Sequence, residues 1–337
     1  MLRFVFQTGV IVLAVMAILA FIVMLKDKKR GAGGSVTVKN LNKRYKRFAQ
    51  HVGMELQEKD NLTLLSKIKG WLAARKQAKP SRDAKARATL FVLDFKGDIS
   101  ASACDQLREE VSSLLLVAQP NDRVLLRLES PGGVVHGYGL AASQLQRIRD
   151  KGLTLIVSVD KVAASGGYMM ACVANRILTA PFAVIGSIGV LAAMPNLHKF
   201  LRKRKIDYLE VTAGEFKRTV TPLGEITESG MNKFQEQIDA THALFKEHVQ
   251  KHRADVEIDK VATGEFWYGT QALALGLVDE IGTSDDFILA NLDACRVIHL
   301  QYEGEKKLKQ KIADALSVCM DTALTKALDS CWRSRLP

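Results

Sequence analysis

The sequence predicts an α/β fold with a largely parallel sheet, preceded by an apolar N-terminal segment. Over residues 89–300, short β-branched runs alternate with amphipathic stretches of helical spacing. This order is typical of parallel strands joined by right-handed helical crossovers. The chain of 337 residues is 47% apolar and 25% charged, a globular composition that excludes wholesale disorder.

Glycine and proline breaks divide this region into individual elements. The runs that predict strands are 89–95, 123–129, 153–159, 176–180 and 183–185. The stretches that predict helices are 102–118, 138–149, 166–174, 227–253 and 272–277. Parallel strands place their carboxyl ends at one edge of the sheet, so reactive side chains are expected where strands give way to helices.

Residues 4–25 form an apolar run of 22 residues without a charge. A helix of this length can cross a hydrocarbon core of about 30 Å. A cleaved signal peptide is the alternative, but its apolar core would be about 7–15 residues long and would be followed by a small-residue cleavage site. Here the run ends directly in the charged residues 26–30 (KDKKR), so we expect residues 1–30 to be a membrane anchor with a basic flank.

The net charge of +12 is concentrated beside this run. Residues 26–88 hold 18 Lys and Arg against 5 Asp and Glu, so the rest of the chain is close to neutral. We expect residues 31–88 to be a basic helical tether lying against anionic lipid, and residues 301–337 to be a further basic helix. A neutral body argues against a nucleic-acid partner. The basic flank by itself favours a cytoplasmic body.

Five cysteines are scattered along the chain without close pairs or a CxxC motif. Such spacing argues against a disulfide framework and against a zinc site. No phosphate-binding loop is visible either, so the sequence predicts neither a metal nor a cofactor.

Ser165 is the candidate nucleophile. It follows the predicted strand 153–159 through small residues and precedes Gly166 and Gly167. Small neighbours permit a sharp turn and close approach of a substrate, and the amide of Gly166 at a helix start is available to an oxyanion. An ordinary Ser-Gly-Gly loop remains the alternative.

A second loop, Pro131-Gly132-Gly133, follows the predicted strand 123–129. Adjacent glycines allow positive φ and expose backbone N–H groups, so Gly132 or Gly133 could supply a second oxyanion donor. Taken alone, the motif is equally consistent with a tight turn.

Ser165 would need a base to remove its proton. Among seven histidines, only His136 is expected near it. A lysine can serve if its amine is neutral, which requires a pKa lowered from about 10.4 toward 7–8 by burial among apolar groups. Lys217 has small and aromatic neighbours at residues 213–216, and Lys161 is a rival. The local sequence leaves these three residues open.

Taken together, these motifs resemble the signal peptide peptidase A family. The resemblance covers about residues 89–285, and includes the runs ESPGGVVHGYGLAASQLQRIRDK, VDKVAASGGYMMACVA and VATGEFWYG, together with GSIGV at 186–190. It implies an α/β fold of the Clp protease/crotonase type, built of ββα units, over a peptidase domain at residues 89–300. No matched position departs from the family pattern.

Residue by residue, the resemblance makes Ser165 the nucleophile and Lys217 the general base. Ser187 would orient the lysine amine, and Gly166 with Gly132 or Gly133 would form the oxyanion hole. The implied activity is that of a serine endopeptidase with a Ser–Lys dyad and no cofactor. Its partners would be peptide or protein substrates, such as signal-peptide remnants or membrane-derived peptides, and the lipid bilayer.

The resemblance also implies that the chain assembles into a homo-oligomeric ring, for which it suggests eight subunits. It further implies an inner-membrane location with the catalytic domain in the periplasm. The basic flank at residues 26–30 instead favours a catalytic domain in the cytoplasm. Two other classes of function compete with the peptidase: a crotonase-like acyl-CoA enzyme, which would need a catalytic carboxylate, and a catalytically silent membrane scaffold.

Overall fold

The computed structural model describes residues 34–56 and 87–304, in which a seven-stranded sheet and a three-stranded sheet are flanked by helices. The strands are β1 Ser35–Asn40, β2 Thr89–Lys96, β3 Arg123–Glu129, β4 Thr154–Val159, β5 Val162–Ala164, β6 Arg176–Thr179, β7 Val184–Gly186, β8 Phe266–Tyr268, β9 Glu280–Ile281 and β10 Arg296–Glu303. The helices are α1 Leu41–Leu56, α2 Cys104–Val117, α3 Val135–Asp150, α4 Gly166–Ala171, α5 His198–Lys203, α6 Glu228–His252, α7 Ile258–Val261, α8 Gly269–Ala274 and α9 Ser284–Asn291.

The main sheet has the strand order β1-β10-β2-β3-β4-β6-β9. The pairs from β10 through β9 are parallel, and the register sets Asp94 opposite Arg127 and Arg127 opposite Ser158. The central strands are almost continuously apolar and buried, as expected when helices cover both faces of a parallel sheet. The predicted α/β class and the predicted strands at 89–95, 123–129 and 153–159 are confirmed.

Two apolar layers enclose this sheet. On one face, residues of α2, α3, α4 and α6 pack against inward-facing side chains such as Leu93 and Leu126. On the other face, Leu41 of α1 and Ile288 of α9 pack with Leu90 and its neighbours. The cysteines at 104, 172 and 295 are free and buried within these layers.

The smaller sheet has the order β5-β7-β8, and Ser165 and Ser187 directly follow two of its strands. β5 and β7 are parallel, with Ala164 opposite Gly186, and β7 pairs antiparallel with β8. An isolated bridge between Ser130 and Ala163 attaches this sheet to the end of β3. The small sheet therefore brings residues 164 and 186 to the same edge as the loop that follows β3.

Several elements differ from those predicted. Residues 35–40 were expected to be tether, but they form an edge strand. Val36 and Val38 alternate with polar residues there, but the run is short and lies within the basic segment, so it was not predicted as a strand. β5 and β8 have only three residues each, too few for a periodic signal. The helix predicted at 272–277 lies instead at Gly269–Ala274.

The described residues between Val36 and Gln301 belong to one compact unit. The predicted anchor at 4–25, the part of the predicted tether at 57–86 and the predicted basic helix beyond residue 304 lie outside the described residues. Among helices that are described, none combines the length and the apolar character required to cross a bilayer.

A charged cluster ties three neighbouring strands together. Arg127 of β3 donates two hydrogen bonds to the carboxylate of Asp94 on β2, at 2.6 and 2.8 Å, and His299 of β10 lies 3.0 Å from the same carboxylate. Burial raises the pKa of Asp94, but the hydrogen bonds from His299 and Arg127 outweigh it and lower the pKa to about 2. The ionised form of Asp94 is therefore favoured in the folded state.

The Asp94→Asn variant should be less stable at neutral pH. Because the folded-state pKa is depressed, the contribution of Asp94 is present above the unfolded pKa of about 4 and disappears as the pH falls toward about 2. We expect a loss of about 1 kcal/mol at neutral pH, after allowance for solvent screening, that shrinks at about pH 3. Urea unfolding at several pH values measures it, with the exposed Asp105→Asn as control. An equal loss at every pH would contradict this account.

Candidate active site

Ser165 joins β5 to α4 through a strained backbone. Its φ is 51° and its ψ is −119°, and α4 begins at the next residue, Gly166. A positive φ is uncommon for a residue with a side chain and costs on the order of 1–3 kcal/mol. The amide of Ser165 donates to the carbonyl of Gly186 at 2.8 Å, and its carbonyl accepts from the amide of Met169 at 3.0 Å. A sharp strand-to-helix turn of this kind can expose a serine hydroxyl to a substrate.

A cavity of about 370 Å³ lies beside Ser165. Its wall is largely apolar and includes the side chains of Ile99, Val134, Val135, Met169, Leu191 and Phe245. Within the part of the chain that the structure describes, no ionisable side chain lines it. The cavity can therefore accept an apolar group next to the serine.

The glycines of the two loops meet at Ser165. Gly132 has φ 92°, and a Cβ placed on it would lie 2.7 Å from the Cβ of Ser165, so only glycine fits there. Gly133 and Gly166 both line the cavity. Neither of their amides makes a hydrogen bond within residues 34–56 and 87–304, whereas the Gly132 amide donates to the hydroxyl of Ser130 at 3.1 Å. Of the three amides, those of Gly133 and Gly166 are thus available to an oxyanion.

A buried chain of hydrogen bonds holds the glycine loop in place. The Ser130 hydroxyl accepts from the Gly132 amide and lies 2.6 Å from the hydroxyl of Tyr138, which in turn donates to the carbonyl of Asp98 at 2.8 Å. Because Tyr138 donates to Asp98, Ser130 must donate to Tyr138, so every group is satisfied. Burial raises the pKa of Tyr138 and keeps its proton in place.

Ser130 and Tyr138 have a positional role that sequence reasoning missed. Both are fully buried, and the ring of Tyr138 also packs where a Cβ on Gly166 would lie. Ser130 directly precedes the loop Pro131-Gly132-Gly133, and Tyr138 lies on the helix that follows it. Only the tertiary contact between these elements shows what the two side chains do.

Ser187 lies next to Ser165 at the edge of the small sheet. The two residues follow Gly186 and Ala164, which are opposite each other in the parallel pair β7–β5. Ser187 also has φ 51°, and its amide donates to the carbonyl of Glu265 at 2.7 Å. Ser165, Ser187 and the three predicted glycines are therefore assembled in one place.

The candidate bases are placed differently. Lys217 lies in the exposed turn that follows Gly214 and does not line the cavity beside Ser165. Lys161 is exposed and pairs with Glu129 at 3.2 Å. His136 is exposed near the start of α3 and is likewise absent from the cavity wall. Among the residues that the structure describes, none of the three candidate bases borders the cavity.

Comparison with known proteins accords with these motifs. Residues 1–145 match the profile described as "Peptidase family S49 N-terminal", and residues 147–295 match "Peptidase family S49". The "Probable protease SohB" of Haemophilus influenzae is 47% identical over 317 residues, covering 91% of this chain and 90% of that protein. The protein of the same name from Buchnera aphidicola subsp. Acyrthosiphon pisum is 52% identical over 237 residues, covering 70% of each.

Among solved structures, a "1510-N membrane-bound stomatin-specific protease" mutant with a substrate peptide is similar at 17% identity and a TM-score of 0.41, covering 68% of this chain and 98% of that one. The assignment itself rests on the sequence matches, which extend over most of the chain. The protein therefore belongs to peptidase family S49, the signal peptide peptidase A family that its motifs resemble, and its substrates are peptides or proteins.

Proposed function

We propose that this peptidase is a membrane-anchored serine endopeptidase in which Ser165 is the nucleophile and Lys217 is the general base. The observation that carries the proposal is the strained Ser165, held against a glycine loop and a helix start beside an apolar cavity. A backbone strain of this kind persists only when its surroundings enforce it, and it is concentrated at functional sites. We extend the proposal to a fold of the Clp protease/crotonase type.

The proposed reaction is acyl transfer in two steps. Lys217 accepts the proton of Ser165 as its Oγ attacks the carbonyl carbon of the peptide bond, and the amides of Gly133 and Gly166 stabilise the oxyanion. Lys217 then protonates the leaving amine, and the acyl-enzyme forms. In the second step Lys217 deprotonates a water that hydrolyses the ester and frees Ser165. Ser187 is proposed to accept a hydrogen bond from the lysine amine and so to orient it.

Lys217 must be neutral to act, and a lysine in water is charged. The segment 190–226 that carries it leaves many large apolar side chains exposed, among them Leu191 (89%), Leu209 (85%) and Val211 (85%). Apolar exposure of this extent is typical of an interaction surface. We therefore propose that self-association into a homo-oligomeric ring covers this segment, removes Lys217 from water and brings the amine to a serine.

The proposed substrates have small or apolar side chains next to the cleaved bond, because the cavity wall beside Ser165 is apolar. Signal-peptide remnants and other membrane-derived peptides fit this description. An anchor at residues 4–25 would hold the enzyme in the inner membrane, near such peptides. We propose a periplasmic catalytic domain, although the basic flank at 26–30 favours the cytoplasmic side.

Replacing either member of the dyad should abolish turnover. When catalytic groups act as a unit, removal of one group removes nearly all of the rate enhancement that the unit provides. Ser165→Ala and Lys217→Ala should therefore each lower kcat by at least about 1000-fold. The measurement is the cleavage of an apolar fluorogenic peptide by the purified full-length protein in detergent.

Lys161→Ala is the matched control and should stay within about 3-fold of the parent kcat, because Lys161 makes only an exposed ion pair. Thermal unfolding of each variant checks the fold. Robust cleavage by Lys217→Ala would exclude the lysine as base, and robust cleavage by Ser165→Ala would favour a different catalytic group altogether.

Gly132→Ala should impair catalysis through the position of Ser165. The new Cβ would meet the Cβ of Ser165 and the carbonyl of Ala164, and alanine is strained at φ 92°. We expect kcat to fall at least about 10-fold and stability to fall by more than about 1 kcal/mol. The control is Gly139→Ala on α3, where a Cβ meets nothing within 4 Å and the helix should gain stability. Equal activities of the two variants would contradict the proposed geometry.

A further inference from the structure

A thiol and two imidazoles meet at the C-terminal end of α4, the helix that follows Ser165. Cys172 immediately follows α4, and His248 and His252 lie one turn apart near the end of α6. One candidate ligand atom from each residue lies within 4.8 Å of the other two. We call this group the Cys-His cluster; none of its members has a role in the proposed peptidase reaction.

Hydrogen bonds to backbone carbonyls orient both rings. Nε2 of His248 lies 2.9 Å from the carbonyl oxygen of Met169, and Nδ1 of His252 lies 2.9 Å from the carbonyl oxygen of His248. A ring nitrogen opposite a carbonyl must carry the proton, which leaves the other nitrogen of each ring with a free lone pair. Metal-ligating histidines in proteins are held in this way.

The other ring nitrogen of His252, Nε2, faces the side chain of Gln146. This nitrogen lies 3.0 Å from the side-chain amide of Gln146, which can turn to present either its oxygen or its NH2 group. With its NH2 group toward the ring, Gln146 donates to that lone pair. When it is turned away, the nitrogen is open to another electron-pair acceptor.

Cys172 supplies the third donor. It is fully buried, and its Sγ–H donates to the Met169 carbonyl at 3.3 Å, the oxygen that also faces His248. Burial raises the pKa of the thiol to about 12, so a bound metal would have to displace its proton. One thiolate with two neutral imidazoles suits Zn²⁺, and the absence of carboxylates from the Cys-His cluster disfavours Mg²⁺ and Ca²⁺.

We propose that the Cys-His cluster is a Zn²⁺ site with Cys172, His248 and His252 as ligands and a water or Gln146 in the fourth position. Ligand atoms around tetrahedral zinc lie about 3.5 Å apart, so donors within 4.8 Å need to approach by about 1 Å, which rotations of the side chains can supply. A cavity of about 270 Å³, lined by Gln146, Arg149, Asp150, Lys251 and His252, connects His252 with solvent.

Zinc at this point would clamp two walls of the Ser165 cavity. Met169 of α4 lines that cavity and accepts the hydrogen bond from His248, while Phe245, one turn before His248 on α6, lines it as well. A ligand set shared between the end of α4 and α6 would fix these two helices relative to each other. Metal binding at the Cys-His cluster can be measured without activity, so its outcome is independent of the proposed catalytic mechanism.

The test is a Zn²⁺ titration of the untagged, chelator-stripped full-length protein against a chromophoric competitor. We expect one tight Zn²⁺ per chain and a higher unfolding temperature with zinc. Cys172→Ala and His252→Gln should each weaken binding by at least about 100-fold, more than the loss of an outer-shell partner. Co²⁺ should give a thiolate-to-cobalt charge-transfer band that disappears in Cys172→Ala.

Cys104→Ser, which alters another buried free thiol, is the matched control and should retain the site. Thermal unfolding without metal checks that each variant is folded, and the half-buried His252 keeps the test decisive if Cys172→Ala is unstable. Absence of tight Zn²⁺ binding to the parent protein would overturn the proposal. So would binding, or a charge-transfer band, that both Cys172→Ala and His252→Gln leave unchanged.

Discussion

The backbone of Ser165 is the constraint on which the site depends. Its φ of 51° is enforced from two sides, by the hydrogen bond to Gly186 on the neighbouring strand and by Gly132 packed against its Cβ. A strain of about 1–3 kcal/mol is small beside the apolar burial of the two core layers, so the fold can sustain it. The small sheet therefore helps to hold Ser165 in an unfavourable backbone conformation.

The glycine loop is held rigid by a chain of buried hydrogen bonds. Ser130 links the loop amide of Gly132 to Tyr138, and Tyr138 links it to the backbone at Asp98, so the loop cannot move without breaking buried hydrogen bonds. Such a loss would cost about 1–3 kcal/mol for each unsatisfied group. The ring of Tyr138 packs on Gly166 as well, so one side chain positions both loops that border Ser165.

Much of the fold, and the turn at Ser165 with its glycines, could be predicted from local sequence signals, whereas the roles of Ser187 and Lys217 came only from the family resemblance. Strand β3 is a nearly continuous apolar run, helix α6 is amphipathic, and small residues around Ser165 indicate a sharp turn. The three-residue strands β5 and β8 were not predicted, because strands this short are defined by their partners. The positional role of Ser130 and Tyr138 was not predicted either, because it depends on a tertiary contact between them. The cysteine spacing gave no sign of the Cys-His cluster, since 172 and 248 meet only through the packing of α4 and α6.

The central claim is that Ser165 attacks the substrate carbonyl and that the amides of Gly133 and Gly166 stabilise the oxyanion formed on that carbonyl. A crystal structure of the protein after reaction with an apolar peptide aldehyde tests this most directly. The account predicts a covalent bond from the aldehyde carbon to Ser165 Oγ, with the new oxygen about 2.7–3.1 Å from both amide nitrogens. An adduct on a different residue, or an oxygen directed away from both glycines, would contradict it.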